Sequence, residues 1–286
     1  PARAVEGADV ALLGLPHEIS LEAVPALVKA GVRIVDMSAA FRLRDAESYR
    51  RRYGRAHPAP ELLPEFAYGL PELDRAAIER ARYVANPGCF ATCVQLGLLP
   101  FARRGWLAGR VRTTAMTGSS GSGAAASPTT HHPTRSNNLK TYAALVHVQS
   151  FEMDEGIRAA GGDIDGIDFV PVSAPLARGI LATSFATLVG PTSEDEIREA
   201  VRDTFAEAPF VRVPAARGPE VVAVAGSQYA EVGVTVGDRE ADGWHVVVVS
   251  ALDNLIKGGA GQAIQNLNLM LGLDERATLT DPGSYP

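Results

Sequence analysis

The first 116 residues alternate short apolar runs with segments in which apolar residues recur at helical spacing. The expected strands are residues 9–15, 32–36, 83–85 and 111–116, and the expected helices are residues 17–31, 73–81 and 88–104. Strands that alternate with helices pair in parallel, because the crossover helix returns the chain to the same end of the sheet. The pattern therefore predicts an α/β domain with a parallel sheet, and the turn-rich segment 37–71 is expected to be a loop.

Strand-like runs follow one another in the second half of the chain, with fewer helices between them. The expected strands are residues 164–174, 178–189, 227–236 and 244–251, and the expected helices are residues 149–160, 193–207 and 255–273. Val232–Val236 and Val246–Val249 flank a turn-rich segment, which favours an antiparallel hairpin. We expect an α+β second domain with a mostly antiparallel sheet.

The charge balance argues against nucleic acid as a partner. The 286 residues contain 27 Lys and Arg against 33 Asp and Glu, a net charge of -6, so no broad basic surface is expected for phosphate backbones. No apolar run approaches the roughly 20 residues that span a bilayer, and no secretory signal opens the sequence. We therefore expect a cytoplasmic globular protein that binds neither nucleic acid nor membrane.

A cysteine follows the third expected strand in the sequence Asn86-Pro-Gly-Cys89. Asn86 is a suitable N-cap and Pro87 suits the first helical position, which places Cys89 in the first turn of the next helix. There the unpaired backbone N–H groups and the helix dipole favour a thiolate, so we expect a lowered thiol pKa and a nucleophile. The alternative is that Cys89 packs as a small apolar residue.

Cys93 is the other cysteine and lies four residues further along. Two side chains at this spacing share a helix face and seldom reach disulfide geometry, so we expect reduced thiols. No histidine lies at a zinc-like spacing from the pair, and no metal site is expected. Cys93 is interpreted as a packing residue.

A nucleophilic thiol needs a base for proton transfer. His147 ends a strand-like run, and Glu152 lies five residues later, where a carboxylate could orient an imidazole. On the residues alone, each histidine is better interpreted as a surface or turn residue than as a catalytic one, and His131 and His132 are interpreted as loop residues.

The segment 117–123 is rich in Gly and Ser and follows a strand. Its backbone N–H groups could form an anion-binding nest for a phosphate, and the alternative is a flexible turn. The segment matches neither G-x-G-x-x-G nor a P-loop, so its indication of nucleotide binding is weak.

Six segments follow one another in an order that is typical of one enzyme family. They are residues 15–17 (LPH), 36–43 (DMSAAFRL), 68–73 (YGLPEL), 86–89 (NPGC), the loop 117–123 and residues 253–262 (DNLIKGGAGQ). Together they resemble the N-acetyl-γ-glutamyl-phosphate reductase family of arginine synthesis, including its aminoadipyl-phosphate relatives in lysine synthesis.

The resemblance implies a nicotinamide-dependent reductase in which Cys89 attacks an acyl phosphate. Phosphate leaves, a thioester forms on Cys89, and hydride from NADPH reduces it to the semialdehyde, with adjacent N–H groups stabilising the oxyanion. The acid/base histidine of the family, with a glutamate five residues later, matches His147 and Glu152.

The resemblance also implies binding residues and domains. The implied substrate ligands are Ser38, Arg42, Ser120 and Arg178. The implied cofactor ligands are Pro16, His17, Gly121, Gly123, Asn254, Lys257, Gly258 and Gly261. The implied domains are a partial Rossmann-like dinucleotide-binding domain (1–87), a catalytic and substrate domain (88–254), and a C-terminal helix and tail that return to the first domain (255–286).

The chain departs from the family pattern in three places. Val148 and Gln149 replace an arginine and a second histidine of the usual His-Arg-His-Thr-Pro-Glu motif, so we expect the contacts of those two residues to change. Segment 170–178 lacks a usual histidine and asparagine, which favours a different acyl group. The sequence opens without the family's glycine-rich strand-turn-helix, so we expect that about one βαβ unit is absent and that NADPH binding is weakened.

Several alternatives stay open at this point. The expected substrate is an N-acyl-glutamyl 5-phosphate. The alternative is an aminoadipyl 6-phosphate on an acidic amino-group carrier protein, because the loop 124–133 and the ending 282–286 resemble that branch and Arg135 and Lys140 could form a basic docking rim. A Cys-His hydrolase or acyltransferase and a catalytically silent family member are alternatives of other classes. A homo-oligomer, dimer or tetramer, is expected.

Overall fold

The computed structural model describes residues 2–283 and divides them into two compact units. Unit 1 comprises residues 2–88 and 259–279, and unit 2 comprises residues 89–258 and 280–283. Residues 284–286 of the ending that resembles the aminoadipyl branch lie outside the described residues. Within residues 2–283, no helix combines the length and the apolar character needed to cross a membrane.

The helices and strands alternate at first and then give way to a strand-rich region. The helices are α1 (His17–Lys29), α2 (Ala46–Tyr53), α3 (Pro71–Arg80), α4 (Cys89–Ala102), α5 (His132–Arg135), α6 (Ser150–Ala159), α7 (Glu194–Phe205) and α8 (Gly261–Met270). The strands are β1 (Val10–Leu13), β2 (Arg33–Asp36), β3 (Phe66–Tyr68), β4 (Tyr83–Ala85), β5 (Leu107–Thr117), β6 (Lys140–Thr141), β7 (Asp163–Ser173), β8 (Ile180–Leu188), β9 (Val211–Arg212), β10 (Ala230–Glu240) and β11 (Gly243–Leu252).

Unit 1 is built on a four-stranded parallel sheet with the strand order β1-β2-β4-β3. Side chains alternate between its two faces. Ile34 belongs to an apolar cluster with Val24 of α1, and its neighbour Val35 belongs to a second cluster with Ile78 of α3. Both faces of the sheet are therefore covered, which is the reason the strands read as continuous apolar runs. The predicted parallel α/β arrangement is confirmed.

The expected loop 37–71 was wrong, because it contains α2, a 3-10 helix (Pro60–Glu65) and β3. The Asp45 side chain caps α2 by accepting a hydrogen bond from the Ser48 N–H at 2.8 Å, and Gly54 ends the helix at φ 69°. Only Tyr49 and Ser48 of this strongly polar helix are buried. A helix with so narrow an apolar face leaves little periodicity in the sequence.

Unit 2 is built on a seven-stranded mixed sheet with the strand order β6-β7-β5-β8-β11-β10-β9. Most neighbours are antiparallel, including the predicted β10–β11 hairpin, whereas β5–β7 and β9–β10 are parallel pairs. β10 continues to Glu240, past the expected strand end, through an irregularity between Val236 and Arg239. The predicted α+β unit with a mostly antiparallel sheet is confirmed.

Helix α4 is the central helix of unit 2. It is apolar on all sides, its residues from Phe90 to Ala102 are buried, and it packs against α6, β8 and β11. A helix of this composition belongs in the interior of a domain. Its first residue, Cys89, is half-buried, so the N-terminal end of α4 is the place where this buried element reaches accessible space.

The expected helix 255–273 is divided in two. A π-helical turn covers Ile256–Ala260, with Gly259 at the non-helical angles φ -153° and ψ -112°, and α8 follows from Gly261. Gly258, Gly259 and Gly261 therefore lie at a break between two helical segments.

Candidate active site

Cys89 is the first residue of α4, which confirms its predicted place in the first helical turn. The predicted capping by Asn86 is wrong, because the helix begins three residues after it. The Asn86 side chain is 1% exposed, donates to the Gly259 carbonyl oxygen at 3.2 Å and accepts from Asn266 Nδ2 at 2.9 Å. A buried amide group needs hydrogen-bond partners, and for Asn86 these partners lie in a segment that is distant in the sequence.

Gln149 contacts both the helix of the cysteine and the predicted base. Its Oε1 accepts a hydrogen bond from the Ala91 N–H, in the first turn of α4, at 3.0 Å. Its own backbone N–H donates to Nδ1 of His147 at 3.3 Å. With Nδ1 as an acceptor, the neutral imidazole carries its proton on Nε2. The replacement of the family's second histidine by Gln149 thus places a capping amide at this helix end.

His147 lies among aromatic rings, just before α6. Its ring meets those of Phe90, Phe169 and Tyr142 in edge-to-face contacts, with centroids 5.3, 5.4 and 5.9 Å apart. Such packing fixes the plane of the imidazole. Glu152 lies in the first turn of α6 and is 4% exposed.

Gly258 approaches Cys89 so closely that only glycine fits. A Cβ atom added at Gly258 would lie 2.7 Å from the Cβ atom of Cys89 and 3.1 Å from its Cα atom. The segment 253–258, which was predicted to bind cofactor, therefore forms part of the wall beside the thiol. Lys257 in this segment is fully buried.

Cys89 and His147 line one cavity of unit 2, with a volume of about 360 Å³. Its other lining residues are Phe90, Thr117, Gly121, Ser122, Thr129, Thr134, Arg135, Asn138, Lys140, Tyr142, Gln149 and Ser173. Burial raises the pKa of Tyr142 to about 12, and the neighbouring Cys89 adds to the rise. The thiol, the imidazole and the phenol therefore border one cavity.

Cys93 has a different environment one turn further along α4. It is 0% exposed, its Sγ donates to the Ser250 carbonyl oxygen at 3.4 Å, and burial raises its pKa to about 12. Both cysteines are free thiols, as predicted. A thiol that stays protonated in the interior is inert, and the interpretation of Cys93 as a packing residue is confirmed.

The Gly- and Ser-rich loop does not form the expected anion nest. The N–H groups of Gly118, Ser119 and Ser120 already donate to the carbonyl oxygens of Gly179, Leu176 and Ala177, at 2.9, 2.8 and 3.1 Å. These bonds hold the loop against the segment before β8. Of the predicted ligands in the loop, Gly121 lines the cavity, whereas Gly123 is exposed at φ 79°.

The predicted ligands Ser120, Arg178 and Asn254 are brought together in unit 2, mainly through contacts with the protein itself. Asn254 Nδ2 donates to Ser120 Oγ at 3.0 Å, and Asn254 Oδ1 accepts from the Gly179 N–H at 2.7 Å. Arg178 makes a two-pronged ion pair with Asp253, 2.9 Å on each side, and Asp253 is 0% exposed. A guanidinium whose fork already holds a buried carboxylate is committed to that pair.

The predicted substrate ligands of unit 1 are also engaged within their own unit. Ser38 Oγ donates to Asp36 at 2.7 Å, and the carboxylate of Asp36 is fully buried. Arg42 donates from Nε to the Asn86 carbonyl oxygen at 2.8 Å and from Nη2 to the Met37 carbonyl oxygen at 2.7 Å. These bonds order the chain at the carboxyl ends of β2 and β4.

The predicted cofactor ligands of unit 1 lie at two helix starts. Pro16 and His17 begin α1 directly after β1, and Gly261 is the buried first residue of α8. His17 Nε2 is 3.0 Å from the Tyr49 hydroxyl, whereas His17 Nδ1 is buried without a hydrogen-bond partner among residues 2–283. An unsatisfied buried nitrogen at a helix N-terminus points to a polar ligand.

Sequence reasoning missed the roles of Arg135 and Gln149 at the cavity. The carrier-protein alternative placed Arg135 on a docking rim with Lys140, whereas Arg135 is 9% exposed and lines the cavity, as Lys140 does. The signal for Gln149 was its place in the histidine motif, where a departure from the family pattern marked a contact residue. Nothing in the sequence around Arg135 indicated that this residue is buried, because a loop has no periodicity from which burial can be inferred.

Comparisons with known proteins agree with this two-unit architecture. Residues 1–81 match the family described as semialdehyde dehydrogenase, NAD binding domain, and residues 89–254 match semialdehyde dehydrogenase, dimerisation domain. Aspartate semialdehyde dehydrogenase II from Vibrio cholerae has a TM-score of 0.71 at 18% identity, covering 93% of this chain and 80% of that chain. The enzyme from Candida albicans, solved with NADP, has a TM-score of 0.64 at 12% identity, covering 92% and 77%. The predicted fold class is confirmed.

Curated relatives are similar over nearly the whole chain. N-acetyl-gamma-glutamyl-phosphate reductase from Desulforudis audaxviator is 41% identical, covering 99% of this chain and 82% of that protein. The protein of the same name from Ectopseudomonas mendocina is 42% identical, covering 97% and 80%. With a half-buried thiol at a helix start and both family domains matched, this chain belongs to the N-acetyl-γ-glutamyl-phosphate reductase family, as its motifs predicted.

Proposed function

We propose that Cys89 carries the acyl group, with His147 as its acid/base partner, in the reduction of N-acetyl-γ-glutamyl phosphate. The observation that carries the proposal is the single cavity that Cys89 and His147 line together. Family membership makes the chain an oxidoreductase of arginine biosynthesis that acts on a small-molecule acyl phosphate, and the predicted enzyme class and nicotinamide cofactor are confirmed.

The first chemical step is attack of the Cys89 thiolate on the acyl carbon. The new C–S bond forms as the C–O bond to phosphate breaks, and the phosphate departs with the electron pair, which leaves a thioester on Cys89. Phe90 gives the cavity an apolar wall next to Cys89. The Ala91 N–H is already bonded to Gln149, so that donor is committed to positioning the helix and not to the acyl oxygen.

The second requirement is a proton at the acyl oxygen. His147, with Nδ1 held by the Gln149 N–H, presents Nε2 as the proton-carrying nitrogen. The imidazole becomes an imidazolium when it takes the proton of the Cys89 thiol. As the thioester is reduced, the imidazolium gives a proton to the oxygen and becomes neutral. The neutral ring takes the hydroxyl proton of the thiohemiacetal when the C–S bond breaks and the semialdehyde is released. Glu152 is buried in the first turn of α6, five residues after His147. We propose that its carboxylate stabilises the positively charged imidazolium.

Unit 1 has residues that fit a dinucleotide. Helix α1 begins at the carboxyl end of β1, no side chain caps its first turn, and the buried Nδ1 of His17 lacks a partner within the described residues. Pro16, His17 and Gly261 would hold the nucleotide in unit 1. In unit 2, Gly121, Gly123, Asn254, Lys257 and Gly258 stay cofactor ligands predicted from the family resemblance. When bound, the nicotinamide supplies the hydride for reduction of the thioester.

The finer partner and compartment predictions are proposals. We propose a homo-oligomer formed through the sheet of unit 2, because this unit matches a dimerisation domain and its sheet leaves Phe185 53% exposed. A cytoplasmic location follows from the reduced thiols and the biosynthetic role. The carrier-bound aminoadipyl phosphate is the alternative substrate, and assaying both acyl phosphates distinguishes the two.

The test of the thioester uses the acyl phosphate without reduced nicotinamide. Mixing the protein with N-acetyl-γ-glutamyl phosphate should release one phosphate per chain and add one acyl group, which peptide mass spectrometry should locate on Cys89. Adding NADPH should then discharge the adduct as aldehyde. C93S is the matched control and should form the same adduct, whereas an adduct on any other side chain would contradict the proposal.

A further inference from the structure

Arg135 is a buried cation in the wall of the Cys89 cavity. Arg135 is only 9% exposed. Its Nη2 donates to the Thr117 carbonyl oxygen at 2.8 Å. Its Nε is buried without a hydrogen-bond partner among residues 2–283. A guanidinium stays charged at every physiological pH, so a buried one with an unsatisfied N–H is costly unless an anion completes it.

The composition of the cavity points to the same kind of ligand. Arg135 and Lys140 both line it, and none of its lining residues is Asp or Glu. The protein as a whole carries a net charge of -6, so a cavity with two cations and no carboxylate stands apart from the average surface. Thr134 and Asn138 add neutral hydrogen-bonding groups to the same wall.

The charge of Arg135 influences Tyr142, which lines the cavity together with Cys89 and His147. Burial and the nearby Cys89 raise the pKa of Tyr142, whereas the guanidinium of Arg135 acts in the opposite direction. Tyr142 in turn contacts the ring of His147, with centroids 5.9 Å apart. Arg135 is therefore close enough to influence a group that borders the imidazole.

The arginines that sequence reasoning suggested for anion binding have other partners. Arg178 forms its two-pronged pair with the buried Asp253, and Arg42 donates to two backbone carbonyl oxygens of unit 1. Arg135 differs from both, because it lines the cavity and its buried Nε has no hydrogen-bond partner among residues 2–283.

We propose that Arg135 and Lys140 form an oxyanion-binding subsite that receives an anionic group of the substrate, either its carboxylate or its phosphoryl group. The proposal rests on the proposed function, since the anion must belong to the acyl phosphate that reacts with Cys89. Arg135 supplies a fixed, directional N–H, and Lys140 supplies a mobile charge at the accessible side of the cavity.

The test measures KM values in the reverse direction, with semialdehyde, inorganic phosphate and NADP as substrates. R135M should raise the KM of one anionic substrate by about 10- to 100-fold, the range expected for a lost charged hydrogen bond. A rise for phosphate assigns the phosphoryl group, and a rise for the semialdehyde assigns the carboxylate. R135K should restore part of the loss, and K140M should give a smaller rise in the same KM.

The control variant is R198M, because Arg198 lies in an exposed pair with Glu194 on α7. It should leave both KM values within twofold of the wild-type values. Both KM values staying within twofold in R135M, or a loss confined to kcat, would overturn the subsite.

A second readout separates failure of the subsite from failure of the proposed function. The rates at which iodoacetate, an anion, and iodoacetamide, its neutral analogue, alkylate Cys89 need no turnover. The ratio of the two rates should fall several-fold in R135M and recover in R135K, provided that circular dichroism shows both variants folded. An unchanged ratio in a folded R135M, or a ratio in a folded R135K that is no higher than in R135M, would contradict the subsite even if the thioester on Cys89 is established.

Discussion

Cys89 and Cys93 lie one turn apart on the same helix, yet one reaches accessible space and the other is enclosed by the core. Cys89 is half-buried at the first residue of α4 and lines the cavity with His147. Cys93 is fully buried against Ser250, and its pKa is raised to about 12. The residue type and the helix are the same, so the difference comes from the distance of each thiol from the helix end and from accessible space.

The comparison teaches how a buried helix can carry a reactive group. An apolar helix such as α4 is stabilised by burial along its length, and only its terminus can be opened to a substrate without loss of the core. The backbone N–H groups of the first turn lie at that same terminus. Position along the helix thus selects which of two identical side chains can act.

The largest expected effect comes from substituting each thiol in turn. C89S should lower kcat on the order of 10³-fold or more, because the acyl group loses its acceptor. C93S should keep kcat within threefold, since the side chain only packs. Steady-state NADPH oxidation, with circular dichroism to verify folding, measures both. An equal loss of kcat in C89S and C93S would contradict the proposal that only Cys89 takes part in the reaction.

A smaller effect is expected when the wall beside Cys89 is moved. G258A places a Cβ atom 2.7 Å from the Cβ atom of Cys89, a distance that real structures avoid, so the first turn of α4 must shift. Displacing a nucleophile by a few tenths of an ångström to 1 Å should lower kcat by about 10- to 100-fold.

The matched control for this wall is G218A, because Gly218 is exposed and an added Cβ atom meets nothing within 4 Å. Both variants should be assayed under the conditions used for the cysteine variants. If G258A kept wild-type kcat, the close approach of this segment would have no part in positioning the thiol.

The smallest effect concerns stability at high pH. Burial raises the pKa of Cys93 from 9.0 to about 12, so the folded state keeps a proton that the unfolded state loses. The contribution of this thiol to stability is therefore fully present below pH 9 and is lost as the pH rises towards 12. The unfolding free energy of the wild type relative to C93A should fall across this window, by at most about 1.4 kcal/mol per pH unit.

Urea unfolding at matched pH values measures this difference, and subtraction of the C93A curve removes the contributions of other titrating groups. A difference that stays constant from pH 8 to pH 11 would show that Cys93 titrates as an ordinary exposed thiol.

The predictions that held were those that rest on local pattern. The alternation of apolar runs with helical segments gave the parallel sheet of unit 1, and Val232–Val236 with Val246–Val249 gave the hairpin of unit 2. Helix α2 was missed because its core contact is made by little more than Tyr49, so its sequence has almost no apolar period. The family motifs identified Cys89, whose place at a helix start follows from the residues just before it.

The predictions that failed depended on partners distant in the chain. Asn86 has the chemistry of a helix cap, but its side-chain oxygen accepts a hydrogen bond from Asn266, which lies 180 positions away. The N–H groups of the loop 117–123 suit an anion, but the carbonyl oxygens of segment 176–179 already accept from them. A hydrogen-bond donor or acceptor can be recognised in a sequence. Its partner in the protein depends on which groups the fold brings next to it.

The sequence by itself determined the two sheets, the family and the place of Cys89 at a helix start, because these follow from periodicity and from residues that are neighbours in the chain. Only the tertiary structure decided which charged and polar groups stay available for a ligand. It paired Arg178 with Asp253 and bonded the Gln149 side chain to the first turn of α4. It left Arg135 buried in the cavity wall with an N–H that has no partner among residues 2–283. Burial and the satisfaction of hydrogen bonds depend on contacts between distant segments, and those contacts exist only once the chain has folded.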